Sequence, residues 1–354
     1  MKLVRTIIIL VAVAITMLFT WQANAPVFAK SIAPACRGTN LLDRLQATDS
    51  AAYAALRKRE AATPNGQGLL WKIEREDLAA SYLYGTMHIS DERLTTLPGP
   101  VADALDQAKT VALELDEIAD DKKMQQEIVK NIGLITFANG RTLDKVLSKN
   151  ELLHLKTVLR KMNMPYAASR IMKPWFVMLS LALPACEKAR QKAGLKAVDA
   201  IIAQTAQKNG ARLVGLETVR EQFSAFDSMS LDNQRRFLMN SLRMIDLLDD
   251  QIETMAQLYL QRRTAGLWEF AVYLTKKSAR DHGRSPKQMH AELDALKKFE
   301  RELVIKRNNV MRARALPWLA SGNLFMAVGA LHLPGKHGLV ALLREAGYKV
   351  SVVY

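Results

Sequence analysis

The sequence predicts an α/β fold with a small central β-sheet and a large, mostly helical insertion. Short apolar segments bounded by glycine or turn residues are typical of buried strands. Longer stretches with apolar residues at helical spacing lie between them. Two of the strand segments also begin similar units, in which a strand, a Gly-x-x-His motif, a Pro-Gly pair, a helix and a second strand follow one another.

Five segments are predicted to be strands, because each is short, apolar and rich in β-forming residues. They are 81–84, 110–116, 212–216, 324–328 and 348–354. Residues 71–75 are a candidate edge strand that would pair with 81–84. Helical periodicity predicts helices over 100–108, 121–132, 143–163, 171–192, 197–209, 231–315 and 339–345. We therefore expect one domain over 30–354, with the helical insertion at about 118–210 and 219–320.

The N-terminus has the pattern of a secretory signal peptide rather than of a folded segment. Lys2 and Arg5 precede an apolar run over 7–21, and small residues follow up to Ala29. The run is short for a membrane span, which needs about 20 residues. Cleavage after Ala29 predicts a periplasmic or secreted protein. An uncleaved anchor is the alternative, and it would be the protein's only contact with a membrane.

Composition and charge restrict the classes of partner. The 354 residues are 49% hydrophobic, which is enough for a sizeable core, and the formal net charge is +15. Basic and acidic residues alternate along predicted helices, as in 297–302, and such mixed faces are usually solvated. No basic stripe with interleaved aromatic residues is present, so nucleic acid is not an expected partner. The sequence does not indicate an oligomeric state.

Two cysteines, Cys36 and Cys186, are the only ones in the chain. In an oxidising compartment an even pair far apart in sequence predicts a disulfide, which would join the N-terminal arm to the central helices. Two free thiols are the alternative.

The two Gly-x-x-His motifs are the strongest functional signal. One runs from Gly85 to His88 and the other from Gly329 to His332, each at the end of a predicted strand. Parallel strands bring their carboxyl ends to one sheet edge, where open α/β sheets bind ligands. Imidazole is a common ligand of divalent metals and a general base near neutral pH. A histidine after a strand is more often structural, but two in matching units predict one shared site.

Carboxylates are the natural partners of these histidines. Glu114 lies inside the predicted strand 110–116, and a carboxylate in such an apolar strand is costly to bury unless it is paired or binds a cation. Glu217 occupies a similar place after the segment 212–216. The alternatives are a solvent-facing strand end for Glu114 and a charge at a helix N-terminus for Glu217.

Arg307 and Asn308 lie in a predicted helix that leads towards the second motif. An arginine there would hold a carboxylate or stabilise an oxyanion, and an asparagine would donate a hydrogen bond. On sequence grounds alone, exposure to solvent is the more common state of both. The usual motifs of serine hydrolases, of zinc proteases with a His-Glu-x-x-His helix and of phosphate-binding loops are absent.

With these motifs the sequence resembles the TraB/GumN family, which includes the TIKI proteins, over nearly the whole mature chain. The motifs that carry the resemblance are 68–73, 82–88, 114–116, 173–175, 198–199, 215–218, Gln222, 307–308, 328–335 and 347–348. The segments 34–39 and 184–187 resemble the exported bacterial branch, which supports pairing of the cysteines.

The resemblance implies a fold related to erythromycin-esterase and ChaN-like proteins, and a site containing His88, His332 and Glu114, with Arg307, Asn308 and Glu217 around it. TIKI relatives are regarded as proteases that use Mn²⁺ or Co²⁺, and Zn²⁺ stays open here. A metal-dependent peptidase acting on a peptide or protein is therefore the leading hypothesis. The alternatives are a non-enzymatic binder of peptide, haem or metal, and a metal-independent esterase-like hydrolase.

Overall fold

A computed structural model describes residues 36–354 of the chain, and the predicted signal peptide at 1–29 lies outside them. The described part is α/β, as predicted, with one mixed six-stranded sheet and many helices. The strands are β1 (Leu70–Glu74), β2 (Ser81–Thr86), β3 (Thr110–Leu113), β4 (Arg212–Gly215), β5 (Leu324–Gly329) and β6 (Lys349–Val352).

The α-helices of the described residues fall before, between and after these strands. They are α1 (Leu41–Thr48), α2 (Ser50–Ala61), α3 (Glu92–Thr95), α4 (Gly99–Asp106), α5 (Asp121–Lys130), α6 (Ile132–Ile135), α7 (Lys149–Lys161), α8 (Tyr166–Ser169), α9 (Pro174–Leu181), α10 (Ala185–Lys192), α11 (Val198–Lys208), α12 (Val219–Asp227), α13 (Leu231–Arg243), α14 (Leu248–Leu260), α15 (Thr264–Asp281), α16 (Pro286–Glu300), α17 (Lys306–Leu319) and α18 (Leu339–Glu345). None of the helices in the described part is long and apolar enough to cross a membrane.

The strands lie in the order β4-β3-β5-β2-β1-β6. The first four are parallel to one another, whereas β1 is antiparallel to both of its neighbours, β2 and β6. The predicted pairing of the edge segment 71–75 with 81–84 is confirmed, since Trp71 lies opposite Leu83. The candidate edge segment is nevertheless not at the edge, because β6 pairs with its other side.

Both faces of the sheet are covered by helices, which explains why β5 has an uninterrupted apolar sequence. Phe325 and Ala327 face a cluster that includes α4 and α11, while Leu324, Met326 and Val328 face one that includes α17 and α18. All five side chains are at most 1% exposed. The sheet thus forms the middle layer and leaves its carboxyl edge free to carry polar residues.

The predicted helix over 231–315 is wrong as a single element. It is divided among five α-helices, and only between α16 and α17 does the helical backbone continue, through a π-helical turn at Arg301–Ile305. Gly283 adopts a φ of 58° after α15, and the side chain of Ser285 caps α16, so the chain turns between them. Apolar periodicity could not locate these breaks, because it continues from one helix to the next.

Candidate functional site

Four neighbouring parallel strands end at the same edge of the sheet, and each is followed closely by one predicted site residue. Glu217 follows β4, Glu114 follows β3, His332 follows β5 and His88 follows β2. The register places Thr86 beside Gly329 where β2 and β5 end. The carboxyl edge of the sheet therefore gathers two imidazoles and two carboxylates from segments spread between residues 88 and 332 of the chain.

His88 is held from behind by a buried carboxylate. Its Nδ1–H donates to Oδ2 of Asp199 at 2.7 Å, and Thr86 Oγ1 donates to the other oxygen of Asp199 at 2.6 Å. Asp199 is 5% exposed, whereas the side chain of His88 is 57% exposed. The attraction of Asp199 raises the pKa of His88 to about 9. A cation approaching Nε2 of His88 therefore competes with a proton at that atom.

His332 is held in the same way by a neutral partner. Asn308 donates from Nδ2 to the carbonyl oxygen of His337 at 2.8 Å, which turns its Oδ1 towards Nδ1 of His332 at 2.6 Å. An amide oxygen only accepts, so Nδ1 of His332 carries the hydrogen and Nε2 keeps its lone pair. Burial lowers the pKa of His332 to about 3, and the imidazole is therefore neutral at neutral pH.

Glu114 lies between the second histidine and an arginine. Its Oε1 accepts the Gly329 N–H at 2.7 Å and lies 3.8 Å from His332 Nε2, while Oε2 accepts from Arg307 at 2.6 Å. Burial alone would raise the pKa of Glu114, but the positive charges of Arg307 and His88 and the hydrogen bond from the Gly329 N–H outweigh it. The pKa lies well below its usual range, so Glu114 is a carboxylate under all physiological conditions.

Arg307 joins Glu114 to Glu217. Its Nη2 is 2.6 Å from an oxygen of each carboxylate, and Nε contacts both oxygens of Glu217 at 3.0 Å. Gln222 also donates to both glutamates. The remaining nitrogen, Nη1, donates to the Leu303 carbonyl in the π-helical turn. The buried Glu217 and the partly buried Glu114 are thereby held side by side by one guanidinium.

Arg307 and Asn308 are not exposed to solvent, although exposure is the more common state of such residues. The Arg307 side chain is 14% exposed and Asn308 is fully buried. The helix α17 that carries them packs against the sheet, and their polar groups are paired with the strand-end residues. Glu217, at 4% exposed, is likewise more than a charge at a helix N-terminus.

All six residues predicted for the site thus lie in one cluster, and two further residues join them that were not predicted as site residues. Asp199, in the first turn of α11, orients His88, and Gln222 bridges the glutamates. The Val-Asp pair at 198–199 and Gln222 were recognisable only as family motifs. Asp199 is 111 residues from His88 and Gln222 is 108 residues from Glu114, and no local pattern identifies such contacts.

The three candidate ligands converge on Gly329, whose missing side chain allows their close approach. A Cβ at this position would lie 3.2 Å from His88 Nε2, 3.3 Å from Glu114 Oε1 and 3.7 Å from His332 Cδ2. Two imidazole nitrogens and a carboxylate are ligands that Mn²⁺, Co²⁺ and Zn²⁺ accept. Within the described residues no three His, Cys, Asp or Glu side chains are already spaced as a metal site. The donor set therefore fits a divalent ion, provided that the side chains close around it.

Comparisons with known proteins agree on one family. The pattern that defines the TraB/PrgY/gumN family matches residues 69–352. The chain is 23% identical over 337 residues to the "Metalloprotease TIKI homolog" of Nematostella vectensis, covering 84% of this chain and 70% of that protein. It is 24% identical over 327 residues to "Metalloprotease TIKI2" of Danio rerio, covering 80% of this chain but only 60% of that protein. No solved structure matches the chain.

Proposed function

The chain belongs to the TraB/PrgY/gumN family, and we propose that it is a metal-dependent hydrolase, specifically a peptidase of exported or periplasmic substrates. Similarity to two proteins named as metalloproteases supports the reaction class. The observation that carries the proposal is the convergence of Nε2 of His88, the imidazole of His332 and Oε1 of Glu114 around Gly329. The relation to erythromycin-esterase and ChaN-like folds is part of the same proposal.

His88 and His332 would hold the metal through Nε2, and Glu114 through its carboxylate, with Mn²⁺ or Co²⁺ as the first choices and Zn²⁺ as the next. In both histidines the other ring nitrogen, Nδ1, donates to a fixed oxygen, an arrangement that orients metal-binding imidazoles. When bound, the ion would lower the pKa of a water molecule and polarise the scissile carbonyl.

The roles of Arg307 and Asn308 differ from those expected of substrate-binding groups. Every nitrogen of the Arg307 side chain already contacts a protein oxygen, and Asn308 is fully buried. Neither side chain is free to meet an oxyanion. We assign Arg307 to holding Glu114 ionised and in place, with Glu217 as the second carboxylate that fixes the guanidinium. Asn308 is assigned to fixing the tautomer of His332.

An exported protein is consistent with the cysteines. Cys36 and Cys186 form a disulfide, and disulfides persist in oxidising compartments. A mature domain over 30–354, preceded by a cleaved signal peptide at 1–29, is therefore part of the proposal.

Filling the space at Gly329 tests the site directly. Gly329 has a φ of −53°, which any residue adopts, so Gly329→Ala should fold while its methyl group occupies the space between the ligands. We expect wild-type protein to bind Co²⁺ or Mn²⁺ and to cleave periplasmic peptides until a chelator is added. Gly329→Ala, His88→Ala and His332→Ala should lose both properties. Gly99→Ala is the control, because a Cβ there contacts nothing within 4 Å.

The outcomes separate the possible functions. Undiminished cleavage by both histidine variants would refute the proposal. Metal binding without turnover of any peptide would instead indicate a binding protein that uses the same cleft.

A metal-independent hydrolase is the second candidate, and the His88–Asp199 pair is the observation that favours it. An exposed imidazole whose Nδ1–H is held by a buried carboxylate is the arrangement of a general base in many hydrolases. This candidate predicts cleavage that survives chelation but falls strongly in Asp199→Asn.

A further inference from the structure

The turn that carries His88 has no regular secondary structure to hold it. Residues 87–91 connect β2 to α3 outside any helix or strand. Ser90 and Asp91 are nevertheless buried, with 2% and 5% exposure. Buried backbone and side-chain polar groups in an irregular segment need partners from elsewhere in the chain.

Helix α10 supplies the partners of Ser90, whereas Asp91 is held mainly by Arg93 of α3 at 2.9–3.0 Å and only in part by α10. The backbone N–H and the Oγ–H of Ser90 both donate to Oε1 of Glu187, at 2.9 and 2.8 Å. Three residues further along α10, Arg190 donates to Oδ2 of Asp91 at 3.3 Å. The helix therefore contacts both buried polar residues that follow His88, and it is the partner that holds Ser90.

The helix α10 has little apolar packing of its own. Glu187, at 1% exposed, is its one fully buried residue, and eight residues are too few for a stable isolated helix. The residue before it, Cys186, is bonded to Cys36. The disulfide thus joins α10 to the N-terminal segment one residue before Glu187, the residue that holds the His88 turn.

The other end of the disulfide lies in an anchored segment. The Thr39 N–H donates to Asp250 of α14 at 2.7 Å, and the backbone at Gly38 lies against Asp249 so closely that a Cβ would be 2.0 Å from the Asp249 carbonyl oxygen. Beyond them, Leu41 and Leu42 of α1 are buried in an apolar cluster. Cys36 therefore connects α10 to a fixed layer of helices.

We propose that Glu187 is a positioning residue for His88, and that the Cys36–Cys186 disulfide acts on the site by fixing the helix that carries Glu187. Loss of either contact should release the His88 turn while the sheet keeps its structure. The consequence for metal affinity rests on the proposed function, but the consequence for the turn itself does not.

Amide hydrogen exchange and Co²⁺ titration of the mature protein test this together. In Glu187→Ala the Ser90 amide should exchange about tenfold to a hundredfold faster, because a buried N–H loses its acceptor. Amides of β2 should be unchanged. Affinity for Co²⁺ should fall by about ten- to a hundredfold. Wild-type protein with its disulfide reduced should show the same local change.

Two further variants act as controls. Glu187→Gln keeps an oxygen that accepts from Ser90 and should stay within about threefold of wild type, because the buried N–H keeps an acceptor. Lys192→Gln changes an exposed residue of the same helix and should match wild type. If Glu187→Ala does not fold, reduced wild type and Glu187→Gln still decide the question.

Unchanged Ser90 exchange in Glu187→Ala and in reduced protein would overturn the proposal, as would equal acceleration at Ser90 and in β2. Should wild type not bind Co²⁺ at all, the proposed function fails, whereas the exchange rates still decide whether Glu187 positions the turn.

Discussion

Replacing Asn308 by alanine removes the contact that fixes His332. The change deletes the acceptor of the His332 Nδ1–H and the donor to the His337 carbonyl, and it does so where the side chain is fully buried. The residue lies within α17, in which alanine is a better helix former than asparagine, so helix propensity does not oppose the change.

The cost can be worked out from these contacts. A buried group that loses its partner costs about 1–3 kcal/mol. His332 is only 5% exposed, so its N–H bears the full penalty. His337 is exposed, so its carbonyl oxygen can accept a hydrogen bond from water instead and bears only part of the penalty. Asn308→Ala should therefore lower the free energy of unfolding by about 2–4 kcal/mol. Metal affinity or activity should fall by about 10- to 100-fold, because Nε2 of His332 loses its fixed direction.

Denaturant unfolding of the two neighbouring variants Asn308→Ala and Asn309→Ala measures the first effect. Asn309 is exposed and donates only to the carbonyl one turn before it, so its replacement should change stability by less than about 0.5 kcal/mol. Equal unfolding midpoints for the two variants, at unchanged slope, would refute the assignment of Asn308.

Three further outcomes follow from the structure. Arg307→Met leaves the buried Glu217 and the partly buried Glu114 without their cation and should cost about 3–5 kcal/mol in urea unfolding; a loss below about 1 kcal/mol would contradict the bridge. Gly85→Ala places a Cβ 2.6 Å from Leu333 Cδ1 and should lower the unfolding free energy by about 1–3 kcal/mol, so an unchanged midpoint would argue against this close approach. The Arg314 side chain lowers the pKa of Glu221 to about 2. Above pH 4.5 this half-exposed pair should make the free energy of unfolding of wild type less than about 1 kcal/mol higher than that of Glu221→Gln. The difference should vanish as the pH falls to about 2, where Glu221 becomes protonated. A difference that grows on acidification would show that the pair is not formed.

The sheet was largely predictable because strand formation leaves a local signal. Segments such as 324–328 are short, apolar and bounded by turns, and they became strands with boundaries close to those predicted. Strand order was not predictable. The two units with a Gly-x-x-His motif suggest two similar halves. In the sheet, however, β5 of the second unit lies between β2 and β3 of the first, and β2 of the first lies between β5 and β6 of the second.

Helix boundaries were predicted less well for a physical reason. The periodicity over 231–315 reports only that one face of each helix is apolar, and it does not show where the chain reverses. The reversals depend on local backbone changes, such as the left-handed conformations of Arg262 and Gly283. At β3 the regular pairing ends at Leu113. Glu114 therefore lies beyond the strand at the edge of the sheet, not within it as the segment 110–116 implied.

By itself, the sequence determined the α/β class, and it pointed to the two histidine motifs and to Glu114 as candidate site residues, because these inferences depend on periodicity and on short motifs. Only the tertiary structure decided which groups meet. Arg307 contacts Glu114 across 193 residues, and Asp199 contacts His88 across 111. Whether such side chains are exposed or buried depends on how helices that are distant in sequence pack against the sheet edge. Residue type and spacing along the chain contain no information about that packing.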